Sequence, residues 1–485
     1  MPFKFKLFGC FAVDNFKNGA YNSFVQRKEI IMAKTYSIDM TSGPILPKLL
    51  KLTLPLMLSS VLQLLFNAAD IIVVGNFASE NSLAAVGSTS SLVNLMTNLF
   101  LGLSTGANVL TSRYMGSGNN EKVSKTVHTS IFLAMFSGLI LTIIGIIFAD
   151  KLLMLMKNPP EVLELSTLYL RIYFVGMIAM MIYNFGSSIL RSKGDTKRPL
   201  YFLAFSGVVN VVLNLIFVIC FKMDVAGVAL ATVISQCISA ALILRCLINE
   251  TDAFQFQFKQ LRLDRNIAAK LLKIGVPAGF QGVVFSLSNV VIQSSINSFG
   301  PITMAGSAAA ASIEGFVWVS MNAFSQGALT FTSQNVGAKK YSRINRIAII
   351  ACTCGAVAGL VLGNLAYIFG EPLIGIYDKR PEVIASGLTR MSLVCCLYFS
   401  CGLMDCIVGS IRGMGYAVTP TIVSLLGACG IRLIWIFTGF QLPQFHNEFM
   451  LFMSYPVSWI ITFLAHLICF GFMRRKFPKE DVVAN

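Results

Sequence analysis

Apolar runs long enough to cross a bilayer, separated by short basic breaks, recur along almost the whole chain, and this pattern excludes most soluble folds. A hydrocarbon core about 30 Å thick takes roughly 20 apolar residues per helix. Runs of that kind fall near 47–74, 83–112, 124–148, 162–190, 199–221 and 225–247, and again near 268–298, 302–334, 344–370, 382–411, 416–440 and 450–473. Several exceed one crossing, which predicts tilt or helix continuing beyond the lipid. Only 12% of the 485 residues are charged, against roughly 25% in soluble globular chains. The alternating segments of a membrane barrel, about 10 residues each, are not seen. The expected fold is an all-α membrane protein with twelve transmembrane helices.

The net charge of +16 follows the loops, so it is not read as a nucleic-acid footprint. Every second loop is loaded: Arg113, Lys122 and Lys125, then Arg191, Lys193, Lys197 and Arg198, then Lys259, Arg262 and Arg265, then Lys339, Lys340, Arg343 and Arg346. The intervening loops hold Lys151, Lys157, Lys222, Lys379 and Arg380. Positive residues stay cytoplasmic during insertion. Both termini are therefore expected inside a plasma or inner membrane, which requires an even helix count. The 12 cysteines have no CxxC spacing and lie mostly in apolar runs, so they read as small buried hydrophobes. Residues 1–46 are a basic extension without a signal-peptide apolar region, and Met32 is a second candidate start.

The chain also repeats itself. Ser104, Gly106, Ala107, Thr111, Ser112 and Gly116 recur 221 positions later as Ser325, Gly327, Ala328, Thr332, Ser333 and Gly337. Arg191, Gly194 and Pro199 recur as Arg412, Gly415 and Pro420, and Pro55 matches Pro277 with one residue of slippage. A register held through three loops marks a duplicated six-helix unit. With an even number of helices, the two copies share one orientation and are related by an axis along the membrane normal, an arrangement used by secondary transporters. The expected organisation is an N-lobe over 47–247, a connector over 248–267, a C-lobe over 268–474 and a tail over 475–485.

All but three of the 22 acids sit in loops, tails or the ends of apolar runs, and the exceptions are Asp70, Glu314 and Asp405. A carboxylate in the bilayer interior is costly and marks an ion or proton pathway. Gln63, Asn67 and Asp70 share one face of the first helix by their spacing. Asn94 and Asn98, Asn184, Asn210 and Asn214, and Thr232 add polar side chains on neighbouring helices. Such residues also serve as interhelical glue, but glue does not require an Asp. An Asp among amide and hydroxyl oxygens suits a proton or a small hard cation such as Na⁺. In the second half Val291 and Ile292 stand where Asp70 would recur, and Gln281, Asn289, Gln293, Glu314 and Asp405 are its polar set. No G-x-x-x-x-G-K-[ST] loop is present and no segment is large enough for a nucleotide-binding domain. Ion-coupled transport, rather than an enzyme or an ATP-driven pump, is the expectation.

Leu54-Pro55 through Asn67-Ala68-Ala69-Asp70, Gly102 through Gly116, Gln334-Asn335-Val336-Gly337-Ala338, and Leu190-Arg191-Ser192-Lys193-Gly194-Asp195 with its echo Ile411-Arg412-Gly413 resemble the multidrug and toxic compound extrusion (MATE) family over about residues 40–475. The resemblance implies a V-shaped exporter that exchanges amphipathic or cationic drugs for H⁺ or Na⁺, with no other cofactor. It implies cation coupling at Asp70, Asn210, Asn214 and Thr232, and helix bending at Pro55. Asn214 stands where the family has an Asp, and Phe285 and Ser286 stand where some members have a seventh-helix Glu. Gln63, Asn184, Gln281, Glu314 and Asp405 join Asn67 as substrate or secondary ion-linked candidates. The expected partners are small-molecule drugs and membrane lipid, with the chain a monomer and no nucleic acid bound. A lipid-linked oligosaccharide flippase of the same superfold is the alternative. Its pyrophosphate needs several cationic side chains in the cavity, whereas Arg171, Arg390 and Arg432 are expected at helix ends.

Overall fold

The computed structural model describes residues 37–156 and 159–481. Met32 and Lys157 lie outside the described residues. The helices are α1 (Ile45–Phe77), α2 (Glu80–Gly116), α3 (Asn120–Leu155), α4 (Pro160–Val175 and Met177–Ser192), α5 (Lys197–Cys220), α6 (Asp224–Ile248), α7 (Arg265–Asn297), α8 (Pro301–Gly337), α9 (Arg343–Ile368), α10 (Pro381–Val394 and Phe399–Gly413), α11 (Val418–Gln441) and α12 (Glu448–Arg474). Local chemistry starts several of them. Ser79, Asn119, Asp264 and Asn447 accept backbone N–H bonds at the heads of α2, α3, α7 and α12. Proline opens α4, α8 and α10, where its missing N–H costs nothing.

By length and composition, nine helices among the described residues can cross a membrane, or eleven if each bent pair is one span. The twelfth is α2, rich in Ser, Thr, Asn and Gly. Its polarity fits its place, since it packs along α7 and α8 inside the molecule. A Cβ on Gly102 would lie 2.1 Å from the Gly279 nitrogen, and one on Gly279 would lie 2.0 Å from the Leu99 carbonyl oxygen. Small residues thus let α2 and α7 approach backbone to backbone, the usual device for helix contact in lipid.

The repeat is visible in the bends. α4 breaks by 47° at Gly176 and α10 breaks by 47° between Val394 and Phe399, at corresponding places in the two halves. Each half has its own apolar core, one around Phe174, Met181 and Phe185, the other around Met321, Met391 and Phe452. The first helix of each half also reaches across. Leu49, Leu52 and Leu56 of α1 pack on Phe324 and Phe331 of α8, while Leu271 of α7 joins the first core.

Contacts between the halves concentrate at the end that carries the basic loops. There Thr330 Oγ1 donates to Asn108 Oδ1 at 3.2 Å, Gln334 Nε2 to the Ser192 carbonyl at 2.6 Å, and Arg113 Nη2 to the Gly413 carbonyl at 3.2 Å. The segment before α1 joins this seam. Ile38 N donates to the Lys193 carbonyl at 3.3 Å, and Asn335 Nδ2 donates to the Met40 carbonyl at 3.0 Å. Toward the other end the facing helices separate. Asn67, Asn94, Asn289 and Gln293 are exposed there, and a Cβ on Gly315 of α8 would meet only Leu64 of α1, at 4.0 Å. The result is a cleft closed at the basic end and open at the opposite one.

Candidate functional site

Asp70 sits in the last two turns of α1, where that helix packs on α5 and α6. Asn210 and Asn214 are one turn apart on α5 and both buried, so they face α1 and α6 together. Asn214 donates through Nδ2 to Asp70 Oδ1 and, at 3.4 Å, to Asn210 Oδ1. Asn210 Nδ2 donates to Thr232 Oγ1 at 3.4 Å, and Thr232 stands beside the same carboxylate. The four residues picked from the sequence as a coupling set therefore form one connected cluster. No Lys or Arg pairs with Asp70 among the described residues, so its charge is balanced only by amide and hydroxyl dipoles. Asn214 Oδ1 is buried without a hydrogen-bond partner. The Asn214 N–H donates to the ionised form of Asp70, whereas a proton on the carboxylate needs an acceptor beside it. If the Asn214 amide turned over, its Oδ1 would join the oxygens that a hard cation prefers.

Tyr169 and Tyr173 of α4 also come within range of the Asp70 charge, stacked with centroids 5.9 Å apart, and Gln236 of α6 lies against Tyr173. Sequence reading did not select these three. Their one-turn spacing on α4 was the available signal, but it is indistinguishable from ordinary core aromatics.

Two other predicted residues meet elsewhere. Gln63 and Asn184 line a cavity of about 140 Å³ between the lobes, near the basic end, with Arg191 and with Asn322 and Gln326 of α8. Asn67 is exposed one turn above Gln63. Pro55 lies inside an unbroken α1, and Ser59 Oγ donates to its carbonyl at 2.8 Å. Its ring leaves no N–H for the preceding turn, a point where α1 can deform.

The C-lobe set does not converge. Arg390 grips Glu314 in a two-pronged ion pair, Nε to Oε1 at 2.8 Å and Nη2 to Oε2 at 2.7 Å, and Arg390 Nη1 donates to Ser307 at 2.7 Å. Asp405 lies by Trp318 and Arg412, and Arg412 Nη2 donates to Gln281 Oε1 at 2.7 Å. Contrary to the helix-end expectation, Arg390 and Arg432 are buried within the C-lobe. Arg432 donates to Ser458 at 2.7 Å and lies 4.3 Å over the Tyr455 ring, a cation–π contact that offsets part of its desolvation.

At the basic end, outside the spans, the connector is tied to the N-lobe by charge. Lys193 Nζ pairs with Glu250 at 2.5 Å and Asp252 at 2.6 Å, and Arg198 pairs with Glu250 at 2.6 Å and with Asp195. Burial alone would depress the Lys193 ammonium, but the two carboxylates outweigh it and hold its pKa above the ordinary lysine value.

Comparison with known proteins places this arrangement. The MatE family profile matches residues 55–216 and 277–438, beginning at Pro55 in one half and Pro277 in the other. The chain belongs to the MatE family. Among relatives of this MatE chain, the probable multidrug resistance protein YoeA of Bacillus subtilis (strain 168) is 25% identical over 437 residues, covering 88% of this chain and 93% of the relative. The probable multidrug resistance protein YpnP of the same organism is 28% identical over 397 residues, covering 81% and 88%. A crystal structure of a MATE in complex with MaL6 superposes with a TM-score of 0.82 at 19% identity, covering 90% of this chain and 98% of that one. The resemblance read from the sequence and the two-repeat, all-helical fold are thereby established.

Proposed function

We propose that this chain is a secondary multidrug exporter in which an ion at Asp70 drives substrate out through the cleft, with the basic end facing the cytoplasm. The observation that carries this reading is the Asp70 cluster: a carboxylate within a span, without a cationic partner, held by Asn214 and Thr232 from two other helices. A structural carboxylate in lipid pairs with a base, as Glu314 does with Arg390. One without such a partner binds and releases something charged.

The cycle follows from differential affinity. A ligand moves an equilibrium between two lobe arrangements only through a difference in its binding to them. The ion at Asp70 favours one arrangement and substrate in the cleft favours the other, with Pro55 as the deformable point of α1. The site offers one carboxylate and an amide N–H that cannot ligate a metal ion, so H⁺, which needs no cage of oxygen ligands, is favoured over Na⁺ as the coupling ion. The names of YoeA and YpnP support drugs as the substrate class.

The test is cationic-dye efflux from proteoliposomes under separately imposed pH and Na⁺ gradients. Wild type is expected to respond to the pH gradient, and D70N to lose at least 90% of the gradient-driven rate. Full ion-driven flux in D70N would overturn the role of Asp70, and flux driven only by Na⁺ would reassign the ion.

A further inference from the structure

Arg191 and Arg412 are repeat mates, but only one of them faces an acid. Arg412 donates to Gln281 and has the Asp405 carboxylate as its charged neighbour. In the first half the position equivalent to Asp405 is Asn184, and that change removes the counter-charge. Among the described residues no carboxylate lies within ion-pair distance of Arg191. Its Nη1 donates only to the neutral Gln326 Oε1, at 3.3 Å, and its Nε is buried without a partner. The neighbouring Ser187 Oγ is buried beside the Tyr183 hydroxyl.

Both groups line the cavity of about 140 Å³ that also holds Gln63 and Asn184. Asp195 reaches its edge, but that carboxylate is engaged by Arg198. Within the surrounding network the buried charges of Lys193, Arg198, Asp195 and Glu250 cancel. The remaining acid, Asp252, has a side chain 46% exposed and is screened by solvent. The guanidinium of Arg191 is thus a fixed cation in a small polar cavity with donors to spare. Its planar fork matches a carboxylate, and charge-assisted bonds are the strong ones.

We propose that this cavity is an anion subsite: Arg191 receives a carboxylate group of the transported substrate, and Gln326 takes over the guanidinium when the basic end closes. The inference rests on the exporter reading and adds to it a preference, among amphipathic substrates, for those that carry an acid. The volume admits a charged headgroup and leaves the apolar body in the cleft. Gln326 belongs to α8 of the other lobe, so opening the basic end breaks its bond and presents Arg191 to the incoming ligand. On return of the empty carrier the amide resumes its place, and a bare guanidinium is not buried, which would be costly.

The test uses a dye pair differing in one group, rhodamine B with its free carboxylate and rhodamine B ethyl ester, bound to the purified full chain and followed by fluorescence anisotropy. Wild type is expected to bind the carboxylate form at least tenfold more tightly than the ester. In R191Q the affinity ratio falls to near one, and R191K gives an intermediate value. N184D is the second variant. It leaves Arg191 in place and supplies the acid present in the other half, so the ratio again falls to near one. It carries the test if R191Q does not fold. A wild-type ratio near one, or a ratio retained in N184D and in folded R191Q, overturns the subsite. Vesicle efflux of the ester separates this from the parent reading. If wild type moves neither dye under any ion gradient, the exporter reading fails. If the ester moves but the ratio is near one, only the anion subsite fails.

Discussion

Asp70 and Glu314 are both acids inside spans, and their surroundings differ: Glu314 has a cationic partner and Asp70 has none among the described residues. Glu314 is bound through both oxygens by Arg390, which also lies 5.5 Å from the Phe452 ring. Removing one partner of a buried pair leaves an uncompensated charge and costs about 3–5 kcal/mol, whereas removing both often costs little. R390M is therefore expected to lower thermal stability in detergent sharply, and E314L/R390M to recover most of the loss. Equal melting temperatures for R390M and wild type would contradict a structural pair. The sequence alone did not reveal this pairing, because 76 positions separate the partners. Asp70 was legible as an acid inside an apolar run, on one helix face with Gln63 and Asn67, and its grouping with Asn210, Asn214 and Thr232 followed from the family resemblance. Lys193 adds a pH dependence outside the membrane. Its folded pKa lies above the ordinary value of 10.5, so its contribution is complete below that value and is lost as pH rises through the folded one. Thermal melts should therefore be flat with respect to this network from pH 6 to 8 and fall above about pH 10.5. In E250Q both the neutral-pH melting point and the alkaline loss should be reduced.

At the scale of elements, the spans follow from apolar length, and their predicted limits fall within about four residues of the helices found, except at the end of α3, expected at 148 and found at Leu155. The breaks in α4 and α10 were not legible. Gly176 sits in an uninterrupted apolar run, and its counterpart in α10 contains no glycine. At the first bend Gly176 faces α6, where a Cβ would lie 2.4 Å from Gln236 Oε1. The glycines of α2 and α7 are different, because the repeat marks Gly106 and its α8 mate Gly327 in advance. Their neighbours Gly102 and Gly279 set how closely the two lobes approach. A methyl group at Gly279 has only backbone to push against, so it must move a helix, and overpacking of this kind costs about 1–3 kcal/mol. G279A should lower the melting temperature and reduce dye efflux, with G279V worse on both counts. Wild-type efflux by G279V would show that the close approach of α2 and α7 is not needed for the cycle.

The whole molecule is two cores joined by a seam at one end. Two of the bonds crossing that seam are neutral, Asn108 with Thr330 and Ser192 with Gln334, and two are donated by guanidiniums, Arg113 to Gly413 and Arg191 to Gln326. Neutral hydrogen bonds are each worth about 0.5–1.5 kcal/mol net and those to charged groups about 1.5–3, so the polar part of the seam is of the same order as the roughly 5.5 kcal/mol of differential binding that carries a two-state equilibrium from one side to the other. The ion network around Lys193 and Glu250 lies within the N-lobe and its connector and does not cross the seam. It would hold the connector to one lobe while the other moves. Exchange between the two ends therefore requires the lobes to part at the seam rather than within either core. A cross-link across it should stop transport without unfolding anything. Asn108 and Thr330 are suited to this, being buried side chains in direct contact from opposite lobes. In a background lacking the native cysteines, N108C/T330C is expected to transport dye when reduced, to lose at least 90% of that rate when oxidised, and to recover with reductant. Each single cysteine should be indifferent to oxidation. If the pair is fully cross-linked and still drives ion-dependent efflux, the seam does not open during the cycle, and substrate must pass by a route within one lobe.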